Sequence, residues 1–365
     1  MTLTTAALCA TLLLFNVACS RVGTGGPAPS SGPARHLVVA TQDGHVRALA
    51  LTDGRIGAAT TDVDLGEGAR FLARHPTLPI VYALGDASLF ALAWDGAAGT
   101  LSLLGKGAVG GRGTHVTVHP SGTCALVASY GEHSVSTIPL GPDGKPGDVA
   151  DTLGKSEAGP LRRAHQARVH AATGTVHVPC LGEDYVAVLH VSGDGRKLTL
   201  AGTASTPAGA GPRHMDYAPA APYAYVLNEV ASSITQLRVD PSSGALVPVT
   251  TVTTLPKGFN EATGRSSDIH VAPNGRHLFA VNREPLNDIV TFGIAEDGGL
   301  TEVARADTGG VHARTFAVDP TGSYLWLGNT KSKSVTTFLV RPNGALERLG
   351  AAWDAPAEVA CVLAL

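Results

Sequence analysis

Histidine, arginine and glutamate residues with complementary chemistry occupy matching places in separate parts of this sequence. The four that stand out are His165, Arg213, Glu229 and Arg283. A histidine or a glutamate can move a proton, and an arginine can hold a carboxylate or stabilise an oxyanion. A single charged residue at a strand end is often only solvated. The chemistry therefore requires a fold that brings the four together.

Residues 211–229 predict two short antiparallel strands joined by a turn. The strands cover 214–217 and 223–227, and the turn between them contains two prolines, whose preset φ suits a turn. Antiparallel strands run in opposite directions, so the start of the first and the end of the second share one edge of a sheet. Arg213 and Glu229 are therefore predicted to lie on the same rim.

This two-strand unit recurs with a period typical of blade-type β repeats. The turns lie 44 to 54 residues apart, and each unit carries four apolar, strand-like segments bounded by Gly, Pro, Asn or Asp. The units align on six turn residues, Pro76, Pro120, Ala172, Pro219, Pro273 and Pro320.

The number of strand segments predicts the fold. Seven second strands are present, but only six first strands precede a turn. Residues 358–365, EVACVLAL, supply the seventh by pairing with residues 36–41, HLVVAT, which closes a ring and leaves no free edge. We therefore predict an all-β fold, a seven-bladed β-propeller of four-stranded blades closed by the C-terminal strand. A β-sandwich is the alternative, but it does not predict so regular a period.

A ring of equivalent blades lets positions be compared between repeats. Glu229 and Arg283 lie ten residues after their turn residues, whereas Arg213 and His165 lie six and seven residues before theirs. These places fall on neighbouring blades, at one mouth of the central channel, which predicts a catalytic site there. Weaker candidates for substrate binding are Arg70, His115, His214, Asp268 and Arg314.

The first residues resemble an export signal. Residues 1–19 contain no charged side chain and end in Val-Ala-Cys, which predicts a signal peptide or a lipoprotein signal with Cys19 as the lipidated residue. Residues 20–35 read as a flexible Gly/Pro/Ser linker, and 36–365 as the propeller domain. We expect a periplasmic or extracellular protein, with a possible membrane tether through Cys19. A cytoplasmic location is the alternative.

Composition narrows the possible partners. The 365 residues include 44 Gly and 23 Pro, and the net charge of −3 gives no electrostatic case for nucleic acid binding. Cys124, Cys180 and Cys361 lie in apolar strand contexts without a CxxC pair, so we predict buried free thiols. We expect a monomer that uses no metal or other cofactor.

Several stretches together resemble a known family, the bacterial β-propeller lactonases of the 6-phosphogluconolactonase type. They include AHQARVH, GPRHMDYAP, YAYVLNEVASSI and SSDIHVAPNGRHLFAVNR, and the resemblance spans residues 70–365. The family also contains fungal carboxy-cis,cis-muconate lactonising enzyme. The resemblance implies a seven-bladed propeller with its active site at the channel mouth. The family's His, two Arg and Glu match His165, Arg213, Arg283 and Glu229.

The resulting hypothesis is a lactonase, a carboxylic-ester hydrolase that opens a sugar lactone or a related lactone. The arginines would stabilise the oxyanion, and either Glu229 or His165 would act as general base. An export signal argues against the cytoplasmic metabolite 6-phosphogluconolactone as substrate. Two alternatives remain, an exported binding scaffold without enzymatic activity and a lactone-forming cycloisomerase.

Overall fold

A computed structural model describes residues 34–259 and 265–365, and these residues form β-strands and connecting turns with no helix. The strands, in chain order, are β1 (His36–Thr41), β2 (His45–Thr52), β3 (Arg55–Asp64), β4 (Phe71–Arg74), β5 (Ile80–Leu84), β6 (Ser88–Asp95), β7 (Thr100–Ala108), β8 (His115–Val118), β9 (Cys124–Ser129), β10 (Ser134–Pro139), β11 (Asp151–Gly154), β12 (Arg168–Val169), β13 (Val176–Cys180), β14 (Tyr185–Val191), β15 (Leu198–Ser205), β16 (Pro212–Tyr217), β17 (Tyr223–Asn228), β18 (Ser233–Val239), β19 (Leu246–Thr253), β20 (Ser266–Val271), β21 (His277–Asn282), β22 (Asp288–Ile294), β23 (Leu300–Asp307), β24 (Ala313–Val318), β25 (Tyr324–Asn329), β26 (Ser334–Val340), β27 (Leu346–Arg348), β28 (Trp353–Asp354) and β29 (Val359–Ala364).

The strands form seven antiparallel sheets, which confirms the predicted seven-bladed propeller. Blades 2 to 7 begin at β4, β8, β12, β16, β20 and β24, and each runs outward from its innermost strand to its fourth strand. In blade 7, β28 also pairs with β26. The second strands are mostly apolar and buried over nearly their whole length, as in IVYAL of β5, whereas outer strands such as β19 are mostly exposed. This gradient explains the apolar runs that the sequence repeats.

The C-terminal strand closes the ring as predicted. β29 pairs with β1 in antiparallel register, with Val38 opposite Leu363 and Ala40 opposite Cys361, and it becomes the innermost strand of blade 1. Its neighbours around the channel are β24 of blade 7 and β4 of blade 2. The first blade is therefore built from both ends of the described chain.

A recurring hydrogen bond joins one blade to the next. At six of the seven interfaces within the described residues, a side chain donates to the carbonyl of a glycine in the turn before the next blade's outer strand. The pairs are Thr60–Gly99, Tyr82–Gly144, Thr137–Gly195, His177–Gly244, Tyr225–Gly298 and Trp326–Gly54. At Gly298 a φ of +77° and the packed ring of Tyr223 leave no room for a side chain. The repeat therefore specifies how blades dock as well as how strands pair.

Other predictions concern the cysteines and the leader. Cys124, Cys180 and Cys361 are free and buried, as predicted. The predicted signal at residues 1–19, including Cys19, and almost all of the predicted linker lie outside the described residues. Within the described part, no helix could cross a membrane.

Candidate active site

The four residues predicted to do the chemistry line one cavity at the end of the channel where the inner strands begin. Its volume is about 330 Å³, and its walls include His165, Arg213, Glu229 and Arg283. We call this space the mouth cavity. The structure brings the four side chains together, and their catalytic roles stay a prediction.

Irregularities in the backbone of two inner strands direct two of the arginines into the mouth cavity. The strand register shifts between Pro212 and His214, and again between Ala313 and Thr315, so Arg213 and Arg314 each occupy a β-bulge. A bulge inserts one extra residue and re-aims its side chain. Both guanidiniums therefore reach the mouth cavity from blades 5 and 7.

Glu229 lies between two arginines. Its Oε2 is 2.9 Å from Arg213 Nε, and its Oε1 is 2.7 Å from Arg283 Nη2. Both nitrogens are buried against the carboxylate. Burial raises the pKa of Glu229, but the two arginines outweigh it and hold the pKa below its ordinary value. The site thus combines an ionised carboxylate with two guanidiniums that border the mouth cavity.

Arg213 is the most deeply buried of these cations, with 2% of its side chain exposed. Its Nη1 donates to the backbone carbonyl of Ser267 and lies 3.3 Å from Nε2 of His214. Burial lowers the pKa of Arg213 to about 9, so the guanidinium is still charged at neutral pH. A fixed cation in a water-poor setting acts more strongly on a developing negative charge than the same cation in solvent.

His165 lies just before a short inner strand rather than at the start of a long one. Blade 4 has only two residues in β12, and the chain around His165 is held by the bridge between Ala164 and Cys180. The buried imidazole packs edge-on against Tyr130, at 5.7 Å between ring centroids, and its Nδ1 has no partner among the described residues. Burial, reinforced by Arg213, holds the pKa of His165 well below 6.5. His165 is therefore a neutral imidazole at physiological pH.

Further cations lie around the same cavity. Arg70 Nε donates to Asp86 Oδ1 at 2.6 Å, and Arg112 Nε approaches the same oxygen at 3.3 Å. Arg70 lies six residues before Pro76, and Asp86 lies ten residues after it. Arg213 and Glu229 have the same spacing from Pro219 in blade 5. Arg70, which lines the mouth cavity, therefore pairs with a carboxylate in blade 2 at the place where Arg213 pairs with Glu229 in blade 5.

Three of the weaker candidates for substrate binding, His115, His214 and Asp268, do not line the mouth cavity. His115 and Asp268 line a second cavity of about 380 Å³ further along the channel, and His214 lies between the two spaces. Each is one residue further along its inner strand than a residue at the mouth end, as His214 follows Arg213. That single step moves the side chain away from the mouth. Arg70 and Arg314, by contrast, line the mouth cavity as expected.

The sequence reasoning missed Tyr130 and Arg112, which also line the mouth cavity. Tyr130 lies ten residues after Pro120, so the repeat count that selected Glu229 and Arg283 would have found it. Arg112 precedes β8 in a loop outside the repeat count. Among residues 34–259 and 265–365, no group of His, Cys, Asp or Glu is arranged to hold a metal ion.

Comparison with known proteins identifies the family. A family model described as "Lactonase, 7-bladed beta-propeller" matches residues 36–364. The chain belongs to the seven-bladed β-propeller lactonase family. A 6-phosphogluconolactonase of Cronobacter sakazakii is 32% identical over 241 residues, which is 66% of this chain and 70% of that protein. One from Pectobacterium carotovorum is 32% identical over 67% of this chain and 72% of its own length. The lactonase family and the hydrolase class predicted from the sequence are thus confirmed.

Solved structures of this lactonase fold superpose over most of the chain. The periplasmic gluconolactonase of Pseudomonas aeruginosa matches with a TM-score of 0.79 at 21% identity, covering 89% of this chain and 98% of the other. A protein from Lactobacillus plantarum matches with a TM-score of 0.79 at 24% identity, over 92% and 100%. At these identities the superpositions show the shared propeller.

Proposed function

We propose that this lactonase hydrolyses a sugar lactone with an anionic substituent in the mouth cavity. The observation that carries the proposal is the pair of guanidiniums, Arg213 and Arg283, that Glu229 holds together at the wall of the cavity. They border the same cavity as the neutral imidazole of His165. A proton acceptor beside preorganised cations is the arrangement that ester hydrolysis requires.

The proposed reaction has two steps. In the first, the oxygen of a water molecule bonds to the lactone carbonyl carbon while His165 takes a proton from that water. Arg213 and Arg283 stabilise the oxyanion that forms. In the second, the carbonyl re-forms, the ring C–O bond breaks, and the imidazolium returns the proton to the leaving ring oxygen. The product is the open hydroxy acid, which releases its acidic proton to solvent.

His165 is assigned as the base rather than Glu229 because their surroundings differ. Both oxygens of Glu229 lie within 2.9 Å of an arginine nitrogen, and its pKa is lowered. A carboxylate so engaged would lose strong interactions on protonation. His165 is neutral and borders the mouth cavity. In this proposal Glu229 keeps the two like-charged arginines together.

The charge of the cavity supports an anionic substrate. Five arginines and one glutamate line it, although the whole chain has a formal charge of −3. Arg314 makes no ion pair or hydrogen bond with another described residue, and Arg70 and Arg112 share a single carboxylate. We propose that Arg70 and Arg112 hold a carboxylate or phosphate on the substrate while Arg213 and Arg283 face the lactone carbonyl.

A panel of lactones tests the proposal. Purified protein is assayed by pH-stat, with and without chelator, on 6-phosphogluconolactone, gluconolactone, and simple γ- and δ-lactones. Arg70→Ala is expected to raise KM for the anionic lactone and to leave KM for gluconolactone unchanged, because only the former has a group for Arg70. Hydrolysis of no lactone, or an equal effect of Arg70→Ala on both substrates, would contradict the proposal.

We further propose that the protein is exported, with cleavage near Cys19 and possible lipidation of that residue. The support is the uncharged run of residues 1–19 and the Gly/Pro/Ser segment that follows it. Intact-mass measurement of protein from its native host is expected to show a mature chain that starts at Cys19 or Ser20. A full-length mass in the cytoplasmic fraction would reject export and make 6-phosphogluconolactone the leading substrate.

A further inference from the structure

A buried histidine–aspartate pair lies behind Arg213, outside the mouth cavity. His214 Nδ1 is 2.7 Å from Asp268 Oδ1, and the two side chains are 4% and 3% exposed. The opposite ring nitrogen, His214 Nε2, is 3.3 Å from Arg213 Nη1. The three side chains therefore form a chain of contacts that leads from the channel interior to the mouth cavity.

The contacts at both ends define which ring nitrogen of His214 carries the proton. Arg213 can only donate, so Nε2 must accept and must be free of a proton. Asp268 can only accept when ionised, so Nδ1 must carry the proton. Burial, followed by the charge of Arg213, lowers the pKa of His214 to about 4. A neutral ring with its proton on Nδ1 satisfies both neighbours at once.

Asp268 is itself held from several sides. Its Oδ1 accepts the backbone N–H of Ile269 at 3.0 Å, and its Oδ2 accepts that of Phe316, in blade 7, at 3.1 Å. His270 Nε2 is 3.4 Å from the same Oδ2. A carboxylate with this many donors is fixed in place and kept ionised. Asp268, in blade 6, thus ties His214 of blade 5 to the backbone of blade 7.

We propose that His214 and Asp268 are positioning residues for Arg213: Asp268 keeps the proton of His214 on Nδ1, and the free Nε2 lone pair holds the guanidinium toward the mouth cavity. The inference rests on the role proposed above for Arg213 in oxyanion stabilisation. It assigns neither residue a contact with substrate. This role also explains why the polar side chains of His214 and Asp268 are buried behind the mouth cavity.

The tautomer of His214 tests the inference without any activity measurement. Protein labelled with ¹⁵N in histidine is studied by long-range ¹H–¹⁵N correlation between pH 5.5 and 8, and His214→Gln identifies the His214 signals by their loss. The expected result is a neutral ring with its proton on Nδ1 across this range. A ring protonated on Nε2 would overturn the inference, because that nitrogen could not accept from Arg213.

Kinetics supply the second test, with His75→Gln as the matched control. His214→Phe keeps an aromatic ring but has neither nitrogen, and it is expected to lower kcat by roughly 10- to 100-fold, the effect of one hydrogen bond to a charged group. His214→Gln, which keeps a donor for Asp268 and an acceptor for Arg213, should recover at least part of that loss. His75→Gln replaces a buried histidine whose ring lies 3.2 Å from the carbonyl of Gly122, outside the contacts of Arg213 and Asp268, and its kcat should stay within about twofold of wild type.

The outcomes separate the two proposals. If Arg213→Ala retains the wild-type kcat, the proposed function of Arg213 fails. If Arg213→Ala is impaired while His214→Phe and His75→Gln have equal effects on kcat, only the positioning inference fails. Melting curves on all variants distinguish a loss of folded protein from a loss of turnover.

Discussion

Two guanidiniums that share one carboxylate are the central feature of the site at the residue scale. Arg213 and Arg283 would repel each other at this depth, and Glu229 offsets that repulsion. Both arginines also line the mouth cavity. The arrangement is therefore stable without substrate and places positive charge where an oxyanion would form.

Replacing the proposed base should abolish most turnover. His165→Gln is expected to lower kcat by roughly 10²- to 10⁴-fold, because water then loses its proton acceptor. His190→Gln, at an exposed position, is the control and should have wild-type kinetics. Initial rates by pH-stat on the best lactone give the comparison. A variant at His165 with wild-type kcat would remove this histidine from the mechanism.

Replacing Glu229 should cost both activity and stability. Glu229→Gln leaves two buried cations side by side, so we expect the free energy of unfolding to fall by roughly 3 kcal/mol. The expected loss in kcat is smaller than that for His165→Gln. Glu347→Gln breaks an exposed pair with Arg341 and should change the melting temperature little. If Glu229→Gln melts like Glu347→Gln, the buried pair does not stabilise the fold.

The pH profile should reflect the lowered pKa of His165. His165 must be neutral to accept a proton, and its pKa lies well below 6.5, so kcat/KM should stay flat as pH falls from 8 to about 6. Arg213 must also be charged. Burial lowers its pKa, but the guanidinium stays protonated throughout this range, so it adds no step to the profile. A loss of activity centred near pH 6.5 would instead indicate an ordinary histidine.

At the scale of strands and blades, the repeat fixes how neighbouring sheets dock. Tyr225 in β17 donates its hydroxyl to the carbonyl of Gly298 in the next blade at 2.9 Å. Tyr225→Phe is expected to lower the free energy of unfolding by roughly 1 kcal/mol, because a buried carbonyl loses its donor. Tyr223→Phe removes a hydroxyl that has no partner among the described residues and serves as control. Equal urea midpoints for both variants would contradict a stabilising role for these inter-blade bonds.

The blades could be predicted because their signals are local, whereas the depth of side chains along the channel could not. Apolar runs, turn prolines and a regular period are written in the sequence and specify strands directly. The bulge at Arg213 is not, because it arises when a twisted inner strand pairs with its neighbour. A regular strand would point Arg213 and His214 to opposite faces of the sheet, whereas with the bulge their side chains meet, with Arg213 Nη1 3.3 Å from His214 Nε2. The repeat identifies which residues lie at the strand ends, but only the pairing of the strands in three dimensions shows where their side chains point.

For the molecule as a whole, the distribution of charge matters more than its sum. A chain with a formal charge of −3 concentrates five arginines around one cavity. A concave cationic surface in an otherwise acidic protein draws anionic substrates toward it, and the effect falls with ionic strength. This agrees with a substrate whose lactone ring carries a separate negative group.

The integrity of the ring depends on its last strand, which leads to a final prediction. Removing residues 358–365 deletes β29, leaves β1 with an unpaired edge and exposes the inner strands on either side, β24 and β4. Cys361 and Val362, each less than 5% exposed, would also leave the core. We therefore expect the truncated chain to lack a cooperative thermal transition by circular dichroism and to be largely insoluble. Deleting only Leu365, which follows the end of β29, should preserve the transition. If the chain without 358–365 is soluble and melts like the full chain, the remaining strands hold the ring together and β29 is not needed to close it.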